Sequence, residues 1–122
     1  MNKKNLFLLI ISWVLVFSQG CKKDASQNSL VTIQVNMKAN QTYQYDLGYF
    51  GDEEGAIMVR QGSHFRTSKL ERLDYEKIRY TYIPLPDYTG TDEIELRAGR
   101  GSDGASPNTS IIGYIFKIRI SN

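Results

Sequence analysis

Residues 112–120 read IGYIFKIRI, a segment in which apolar side chains occupy every second position. Lys117 and Arg119 lie between the apolar positions, on the opposite face of an extended chain. A period of two residues is typical of a β-strand that has one buried face and one solvated face. The core-facing side chains of the predicted strand are Ile112, Tyr114, Phe116, Ile118 and Ile120.

The same alternation recurs upstream, in segments separated by glycine, asparagine and proline. Pro84 and Pro86 end one of these segments, because proline cannot donate to a central ladder. The predicted strands span 30–37, 43–49, 56–60, 77–83, 92–98 and 112–120. Their other inward side chains are Val31, Ile33, Val35, Met37, Tyr43, Tyr45, Leu47, Tyr49, Ile78, Tyr80, Tyr82, Ile94, Leu96 and Ala98.

Residues 61–76 alternate less clearly than the rest of the chain. Phe65 with Leu70 or Leu73 predicts a seventh, brief strand, accompanied by a turn of helix at 69–75. No segment after the N-terminus has the period of a long amphipathic helix. Short strands separated by turns predict one all-β domain, an antiparallel sandwich of about seven strands, with a small barrel as the alternative.

Short motifs mark the second half of this domain. YTYIP at 80–84 precedes PDYTGTD at 86–92, an alternating strand and an SDG loop at 102–104. Over residues 77–120 this order resembles the C-terminal half of bacterial Ig-like and cadherin-like repeats, although the loop before the last strand is longer here. The resemblance implies an Ig-like sandwich used for adhesion, spacing or ligand presentation. It also implies that the Tyr88 hydroxyl caps the chain where a strand starts.

Residues 1–20 predict a secretory signal peptide. Lys3 and Lys4 precede an apolar stretch at 6–17, and Gly20 is a small residue before a cleavage site. As a helix, the apolar stretch reaches roughly 18 Å, well short of the about 30 Å of a bilayer core. An uncleaved signal anchor is the alternative.

Cys21 is the only cysteine of the chain and directly follows the predicted signal peptide. SQGC at 18–21 resembles the lipobox of Bacteroidota lipoproteins, and KKD at 22–24 resembles the charged tether of those exported to the surface. The resemblance implies acylation of Cys21 and anchoring at the outer membrane, on its periplasmic or its surface face. A secreted protein with an unpaired cysteine is the alternative. The predicted parts are the signal peptide at 1–20, a lipidated polar tether at 21–29 and the sandwich domain at 30–122.

The charge balance and the cysteine content exclude several classes of partner. Lys3 and Lys4 belong to the 15 basic residues, and none of the 13 acidic residues lies in the signal peptide. Residues 21–122 are therefore formally neutral, which removes the electrostatic case for binding nucleic acid. A single cysteine also excludes an internal disulfide and a zinc–thiolate site.

GRGSDG at 99–104 has the spacing of a dinucleotide-binding loop. Such a loop binds a pyrophosphate only where it follows a strand and opens a helix. Pro107 and a predicted strand follow here instead. We therefore interpret the segment as a hairpin loop, and we expect no cofactor.

Carboxylates occur in several of the predicted loops. A calcium site would require these loops to converge at one end of the sandwich. The spacing of a continuous calcium-binding loop is absent, so we predict solvated acidic turns and no metal. The candidate ligands are Asp52, Glu53, Glu54, Asp87, Asp92 and Asp103.

Two groups of side chains are candidates for catalysis. His64, the only histidine, needs a positioned serine and a carboxylate, and nothing near it resembles a nucleophile elbow. Glu93 and Glu95 share an outward strand face, where a solvated edge or a cross-strand ion pair explains them better than a glycosidase pair. We therefore predict no catalytic residue.

The tyrosines allow a second function, the binding of sugars. Core packing is the default for them, but an exposed face with rings and charged neighbours suits stacking on sugars. The rings are Tyr43, Tyr45, Tyr49, Tyr80, Tyr82 and Tyr114, and the neighbours are Asp46, Arg60, Arg66 and Arg79. The sequence thus predicts a non-enzymatic envelope lipoprotein that binds, adheres to or scaffolds another macromolecule, with glycan capture as the alternative.

Overall fold

The part of the chain that the structure describes consists of strands, turns and loops. In this computed structural model the described residues are 27–74 and 76–122. The predicted signal peptide, Cys21 and most of the predicted tether lie outside the described residues. No helix among the described residues is long and apolar enough to cross a membrane. The strands are β1 (Gln27–Lys38), β2 (Tyr43–Tyr49), β3 (Gly55–Arg60), β4 (Phe65–Leu73), β5 (Lys77–Pro84), β6 (Gly90–Arg100) and β7 (Ser110–Ser121).

The strands form two sheets that enclose one hydrophobic core. The four-stranded sheet has the order β1-β7-β6-β3, and the three-stranded sheet has the order β2-β5-β4. Buried apolar residues come from both sheets and form a single cluster. The prediction of an all-β sandwich with seven strands is confirmed.

One pair of strands corrects the antiparallel prediction. β1 pairs with β7 in parallel, from Gln27 opposite Ser110 to Lys38 opposite Ser121. Alternation along a strand indicates which face is buried, but it carries no information on the direction of the neighbouring strand. Parallel neighbours require a long connection, and β2 to β6 supply it here. The first residues of β1 also belong to the segment predicted as tether.

Phe116 of β7 is the centre of the core and is fully buried. Its ring centroid lies 5.1 Å from that of Tyr80 and 5.2 Å from that of Tyr45, both on the opposite sheet. Tilted and edge-to-face ring pairs add to the free energy of apolar burial. The predicted burial of Tyr80, Tyr82, Leu96 and Phe116 between the sheets is confirmed.

The prediction that Tyr49 faces inward is wrong, because 68% of this residue is exposed. A bulge between Asp46 and Gly48 adds a residue to β2 and reverses the alternation beyond it. Gly48 has a φ of 101°, a backbone conformation that glycine adopts without a steric penalty. Phe50 is consequently buried in place of Tyr49.

β4 is a continuous strand, so the predicted turn of helix at 69–75 does not form in the described part of that segment. β4 lies at the edge of the three-stranded sheet and pairs only with β5, from Phe65 opposite Pro84 to Leu73 opposite Lys77. The four-stranded sheet that packs against it covers such an edge strand incompletely. Its sequence therefore alternates less clearly than that of a central strand.

Candidate binding site on the four-stranded sheet

The outer face of the four-stranded sheet carries a polar depression where β1, β7 and β6 run side by side. Gln34 of β1 lies opposite Lys117 of β7, and Lys117 lies opposite Glu93 of β6. Neighbouring strands are about 4.8 Å apart, so these polar groups form one row across the sheet. The depression has a volume of about 460 Å³. We call it the charged depression; its lining includes Gln34, Arg60, His64, Glu93, Lys117 and Arg119.

Lys117 and Arg119 are exposed cations on the same face of β7. Neither side chain forms a hydrogen bond or an ion pair with another residue of the described chain. Because they are two residues apart on one strand, their Cα atoms lie about 7 Å apart. The charged depression therefore presents two positive charges that are free to meet an external group.

Arg60 and Glu93 neutralise each other at the other side of the charged depression. The Arg60 guanidinium contacts the Glu93 carboxylate from the neighbouring strand β3, and both side chains are exposed. An exposed pair of this kind contributes little to stability. The prediction of a cross-strand ion pair is confirmed for Glu93, while Glu95 is half-buried beyond it.

Asp92 lies at the base of the charged depression and is buried. Its carboxylate accepts hydrogen bonds from the backbone amides of Ser63 at 2.8 Å and His64 at 3.0 Å. The Tyr82 hydroxyl donates a third bond at 2.8 Å, and the amide of Glu93 donates a fourth. Burial acts to raise the pKa of Asp92, but these donors outweigh it and hold the pKa below its ordinary value.

The bonds to Asp92 require glycine at position 62. A Cβ placed on Gly62 would lie 2.6 Å from Asp92 Oδ2, closer than real Cβ contacts. Without a side chain there, the backbone at 62–64 closes onto the carboxylate. Gly62 therefore allows the β3–β4 loop to be held against the start of β6.

A hydrolytic triad uses a serine, a histidine and an aspartate, the residue types found at Ser63, His64 and Asp92. The atoms that meet here are not the ones that meet in a triad. Asp92 binds the backbone amides of Ser63 and His64, whereas a triad requires the carboxylate on the imidazole. The imidazole of His64 stacks instead on Tyr88, with ring centroids 4.4 Å apart and an interplanar angle of 5°. Its Nδ1 is buried and has no hydrogen-bond partner among the described residues.

From the sequence, Asp92 was predicted only as a candidate calcium ligand in a loop, and its burial in the core was not predicted. The two-residue period that buries Ile94 and Leu96 also turns Asp92 inward. A carboxylate at an inward strand position needs several donors, because an unpaired buried charge is costly. That position in the alternation is the signal that identifies Asp92 from the sequence.

Among the other acidic candidates, Glu54 links the β2–β3 loop to the β6–β7 loop, whereas Asp103 forms its hydrogen bonds within the β6–β7 loop. The Glu54 carboxylate accepts from the amides of Gly51 at 2.9 Å and Gly101 at 2.5 Å, which lower its pKa. Asp103 accepts from the amides of Ala105 and Ser106 within its own loop. Over residues 27–74 and 76–122, no three His, Cys, Asp or Glu side chains are grouped as metal ligands.

The GRGSDG segment forms the hairpin loop that we predicted from the sequence. Its first residues, Gly99 and Arg100, are the end of β6, and β7 begins at Ser110. The amide of Thr109 donates to the Arg100 carbonyl at 3.0 Å and closes the base of the loop. A strand follows this loop, so the helix N-terminus that a pyrophosphate requires does not form after it.

Most of the tyrosines that are candidates for sugar stacking belong to the core. Tyr80, Tyr82 and Tyr114 are buried, and Tyr43 and Tyr45 pack against the buried cluster. Tyr49 alone is exposed among the described tyrosines, with the Lys77 ammonium 5.8 Å from its ring centroid. Of their charged neighbours, Arg79 binds Asp46 through Nε at 2.6 Å. An exposed coplanar pair of tyrosines is therefore absent from the described part of the chain.

Tyr88 has the structural role that the sequence predicts. Its hydroxyl donates a 3.1 Å hydrogen bond to the Thr91 carbonyl, at the start of β6. Gly90 has a φ of 144°, and a Cβ there would lie 2.6 Å from the Tyr88 hydroxyl oxygen. Tyr88 and Gly90 together fix the course of the chain between β5 and β6, beside His64.

Comparison with known proteins gives distant structural neighbours only. No protein-family model and no curated protein matches the sequence. An endo-fucoidan hydrolase of glycoside hydrolase family 107 matches 75% of this chain and 12% of its own, with 11% identity and a TM-score of 0.47. A cysteine protease inhibitor from Entamoeba histolytica matches 75% of this chain and 97% of its own, with 12% identity and a TM-score of 0.39. Amebosin matches 77% of this chain and 98% of its own, with 11% identity and a TM-score of 0.44. With TM-scores below 0.5, none of the three supports a function for this chain.

Proposed function

We propose that this chain is a non-enzymatic, lipid-anchored lipoprotein of the cell envelope, whose Ig-like module binds another macromolecule through the charged depression. The observation that carries the proposal is the pair Lys117 and Arg119, two exposed cations without a partner in the described chain. They project from a central strand of a paired sheet, which holds them rigidly for a partner.

The anchor in this proposal is Cys21. It is the only cysteine, it follows an apolar stretch too short to span a bilayer, and a small residue precedes it. Two or three acyl chains on this residue would hold the protein at the outer membrane, since each buried CH₂ group contributes about 0.8 kcal/mol.

The strand order supports an Ig-like module. An Ig constant-type sandwich places strands A, B, E and D in one sheet and C, F and G in the other. Numbering β1 to β7 as A to G reproduces this division, except that β1 pairs with β7 instead of joining β2. Tyr88, whose hydroxyl donates to the Thr91 carbonyl at the start of β6, lies between β5 and β6, at the corner where such domains carry a tyrosine.

The direction of β1 supports a binding site that faces away from the membrane. β1 starts at Gln27, where the tether reaches the domain, and Gln34 lies about 23 Å further along the strand. The charged depression extends from Gln34 of β1 to Arg119 of the parallel strand β7. A partner at this site would meet the end of the domain that is remote from Cys21.

The atoms around Asp92 support a non-enzymatic protein. Its carboxylate is occupied by four donors, and the His64 imidazole packs on Tyr88 instead of facing Ser63. A buried carboxylate held in this way stabilises the loop at 62–64. It has no accessible lone pair in the position that a general base requires.

Glycan capture is a second candidate, supported by the amide side chains at the charged depression. Gln34 and Gln61 line it beside Arg119, and such groups form the directional hydrogen bonds that sugar hydroxyls need. This candidate does not include stacking of a sugar on paired tyrosines, because Tyr49 is the only exposed tyrosine among the described residues.

The test is site-specific photo-cross-linking in living cells, with the photoreactive amino acid at Gln34. We expect an adduct that is lost when Lys117→Gln and Arg119→Gln are introduced together. The matched control is Arg66→Gln with Lys69→Gln, which removes the same charge from β4 on the other sheet. A protease-sensitive adduct supports a protein partner, and a glycosidase-sensitive adduct supports glycan capture. An adduct that persists equally in both variants, or its absence from the wild type, contradicts the proposed site.

A further inference from the structure

At the end opposite the charged depression, the outer face of the four-stranded sheet carries exposed aliphatic side chains beside the charged residues Glu95 and Arg97. Leu30 of β1 is 65% exposed and Ile57 of β3 is 59% exposed. Ile111 and Ile115 of β7 lie between them and are half-buried. An outer sheet face is normally polar, so a run of aliphatic side chains there indicates a surface that is covered in use.

The pairing register places Leu30 and Ile57 in one row across the sheet. Leu30 lies opposite Gly113, Gly113 lies opposite Arg97, and Arg97 lies opposite Ile57. A Cβ on Gly113 would lie 2.9 Å from Leu30 Cδ1, so the leucine extends flat over β7. Two shallow grooves, of about 400 Å³ and about 130 Å³, share Arg97 and Ile111. We call Leu30, Ile57, Arg97, Ile111 and Ile115 the apolar strip.

The apolar strip lies beside the point where the tether enters the domain. Gln27, the first described residue, pairs with Ser110 at the start of β7. From Cys21 to Gln27 an extended chain spans at most about 20 Å. An acylated Cys21 would therefore keep this end of the domain close to the bilayer, at a high effective concentration.

We infer that the apolar strip rests on the surface of the bilayer that holds the lipid of Cys21. The inference depends on the lipid anchor of the proposed function. Leu30 and Ile57 enter the region between headgroups and acyl chains, and the Arg97 guanidinium meets lipid phosphates. The sequence of the predicted tether also contains Lys22 and Lys23, and basic residues close to an anchor are attracted to anionic lipid. The domain then stands with the charged depression directed away from the lipid.

The test uses the full acylated protein in vesicles of phosphatidylcholine and phosphatidylglycerol. An NBD fluorophore is attached to Ile57→Cys, or to Leu85→Cys as the matched control. Leu85 is also an exposed aliphatic residue, 42% accessible, but it follows β5 at the end remote from the tether. Cys21 is the only native cysteine, and its acylation leaves the introduced thiol as the single labelling site.

We expect lipids with a doxyl group high on the acyl chain to quench the label at position 57 at least threefold more than the label at 85. Adding Leu30→Glu should reduce the quenching at 57, whereas adding Leu85→Glu should leave it unchanged. Equal quenching at both positions overturns the inference. So does a shielded label at 57 that responds to protein concentration but not to doxyl lipid, which indicates a second copy of the chain on the strip.

A palmitate-analogue label on Cys21 distinguishes this inference from the proposed function. If the analogue is incorporated and position 57 is not quenched, the anchor stands and only the inference about the apolar strip fails. If the analogue is not incorporated, the proposed anchor fails and the inference fails with it.

Discussion

The Tyr82 hydroxyl donates a 2.8 Å hydrogen bond to the Asp92 carboxylate in the interior of the sandwich. Tyr82 belongs to β5 of the three-stranded sheet, and Asp92 belongs to β6 of the four-stranded sheet. The bond is therefore a polar link between the two sheets. A second one runs from the Arg100 guanidinium of β6 to the Leu47 carbonyl of β2, at 2.9 Å. Asp92 also lines the charged depression, so a change at this residue affects both the core and the candidate site.

Asp92→Asn should lower the free energy of unfolding by about 2–4 kcal/mol, because an amide group cannot accept all of the donors that the carboxylate accepts. Urea denaturation at neutral pH measures the change. Asp87→Asn is the control, since Asp87 is exposed and asparagine tolerates its φ of 58°. Equal losses in the two variants would show that the buried carboxylate has no special role.

The stability that Asp92 contributes should depend on pH. Its pKa is below the ordinary value in the folded chain and about 3.9 in the unfolded chain. A lowered pKa contributes stability that is present above about pH 4 and is lost as the pH falls through the folded value. We expect Tm of the wild type to fall more steeply than Tm of Asp92→Asn between about pH 4 and about pH 2. Glu54 and Asp103 titrate in both proteins, so only the difference reports on Asp92. Parallel curves would contradict the prediction.

Gly62→Ala should destabilise the protein by about 1–3 kcal/mol, since the added Cβ collides with the Asp92 carboxylate and separates it from its amide donors. Gly51→Ala is a matched control. A Cβ on Gly51 meets its nearest neighbour, in the Glu54 side chain, at 3.7 Å, an ordinary contact. Thermal unfolding of both variants should show a loss for Gly62→Ala alone.

Phe116→Ala should lower the free energy of unfolding by about 3–5 kcal/mol, because it leaves a cavity among Tyr45, Tyr80 and the surrounding core. Lys117→Ala on the outer face of the same strand should change it by about 0.5 kcal/mol or less. The measurement is chemical denaturation of both variants. A melting temperature of Phe116→Ala equal to that of the wild type would mean that this face of β7 is not in the core.

Cys21→Ser should abolish incorporation of a palmitate analogue and leave the protein uncleaved or soluble. The reason is that acyl transfer to this chain has one available thiol. Metabolic labelling followed by fractionation of the cells measures both effects. Ser18→Ala, which retains the thiol, is the control and should label as the wild type does. Equal label in Cys21→Ser and the wild type would remove the lipid anchor.

The sequence predicts the faces of the strands well because burial leaves a local signal. Along β7 the buried residues Tyr114, Phe116, Ile118 and Ile120 all fall on the predicted face. Tyr49 departs from its predicted face because a bulge inserts one residue, and glycine at 48 permits the bulge without requiring it. The parallel direction of β1 depends on a neighbour distant in the sequence, so alternation within β1 holds no information about it.

The charged depression could not be predicted for a similar reason. Lys117 and Arg119 are recognisable as outward residues from the sequence of β7 alone. That Gln34 lies beside Lys117 depends on the register between β1 and β7, which are far apart in the chain. Asp92 is different, because its inward position can be read from the alternation in β6.

The parallel pairing of β1 with β7 has a mechanical consequence. Under the proposed function, an anchor at Cys21 would pull β1 from its first residue, Gln27, and a partner at the charged depression would pull β7 near Lys117 in the opposite direction. Both forces would run along the parallel strands, so they would load the hydrogen bonds between Gln27–Lys38 and Ser110–Ser121 together, in shear. An antiparallel hairpin pulled from its open end would instead lose its bonds one at a time. Under the proposed function, a domain paired in this way would carry tension between the anchor and the partner without losing its β1–β7 hydrogen bonds one at a time.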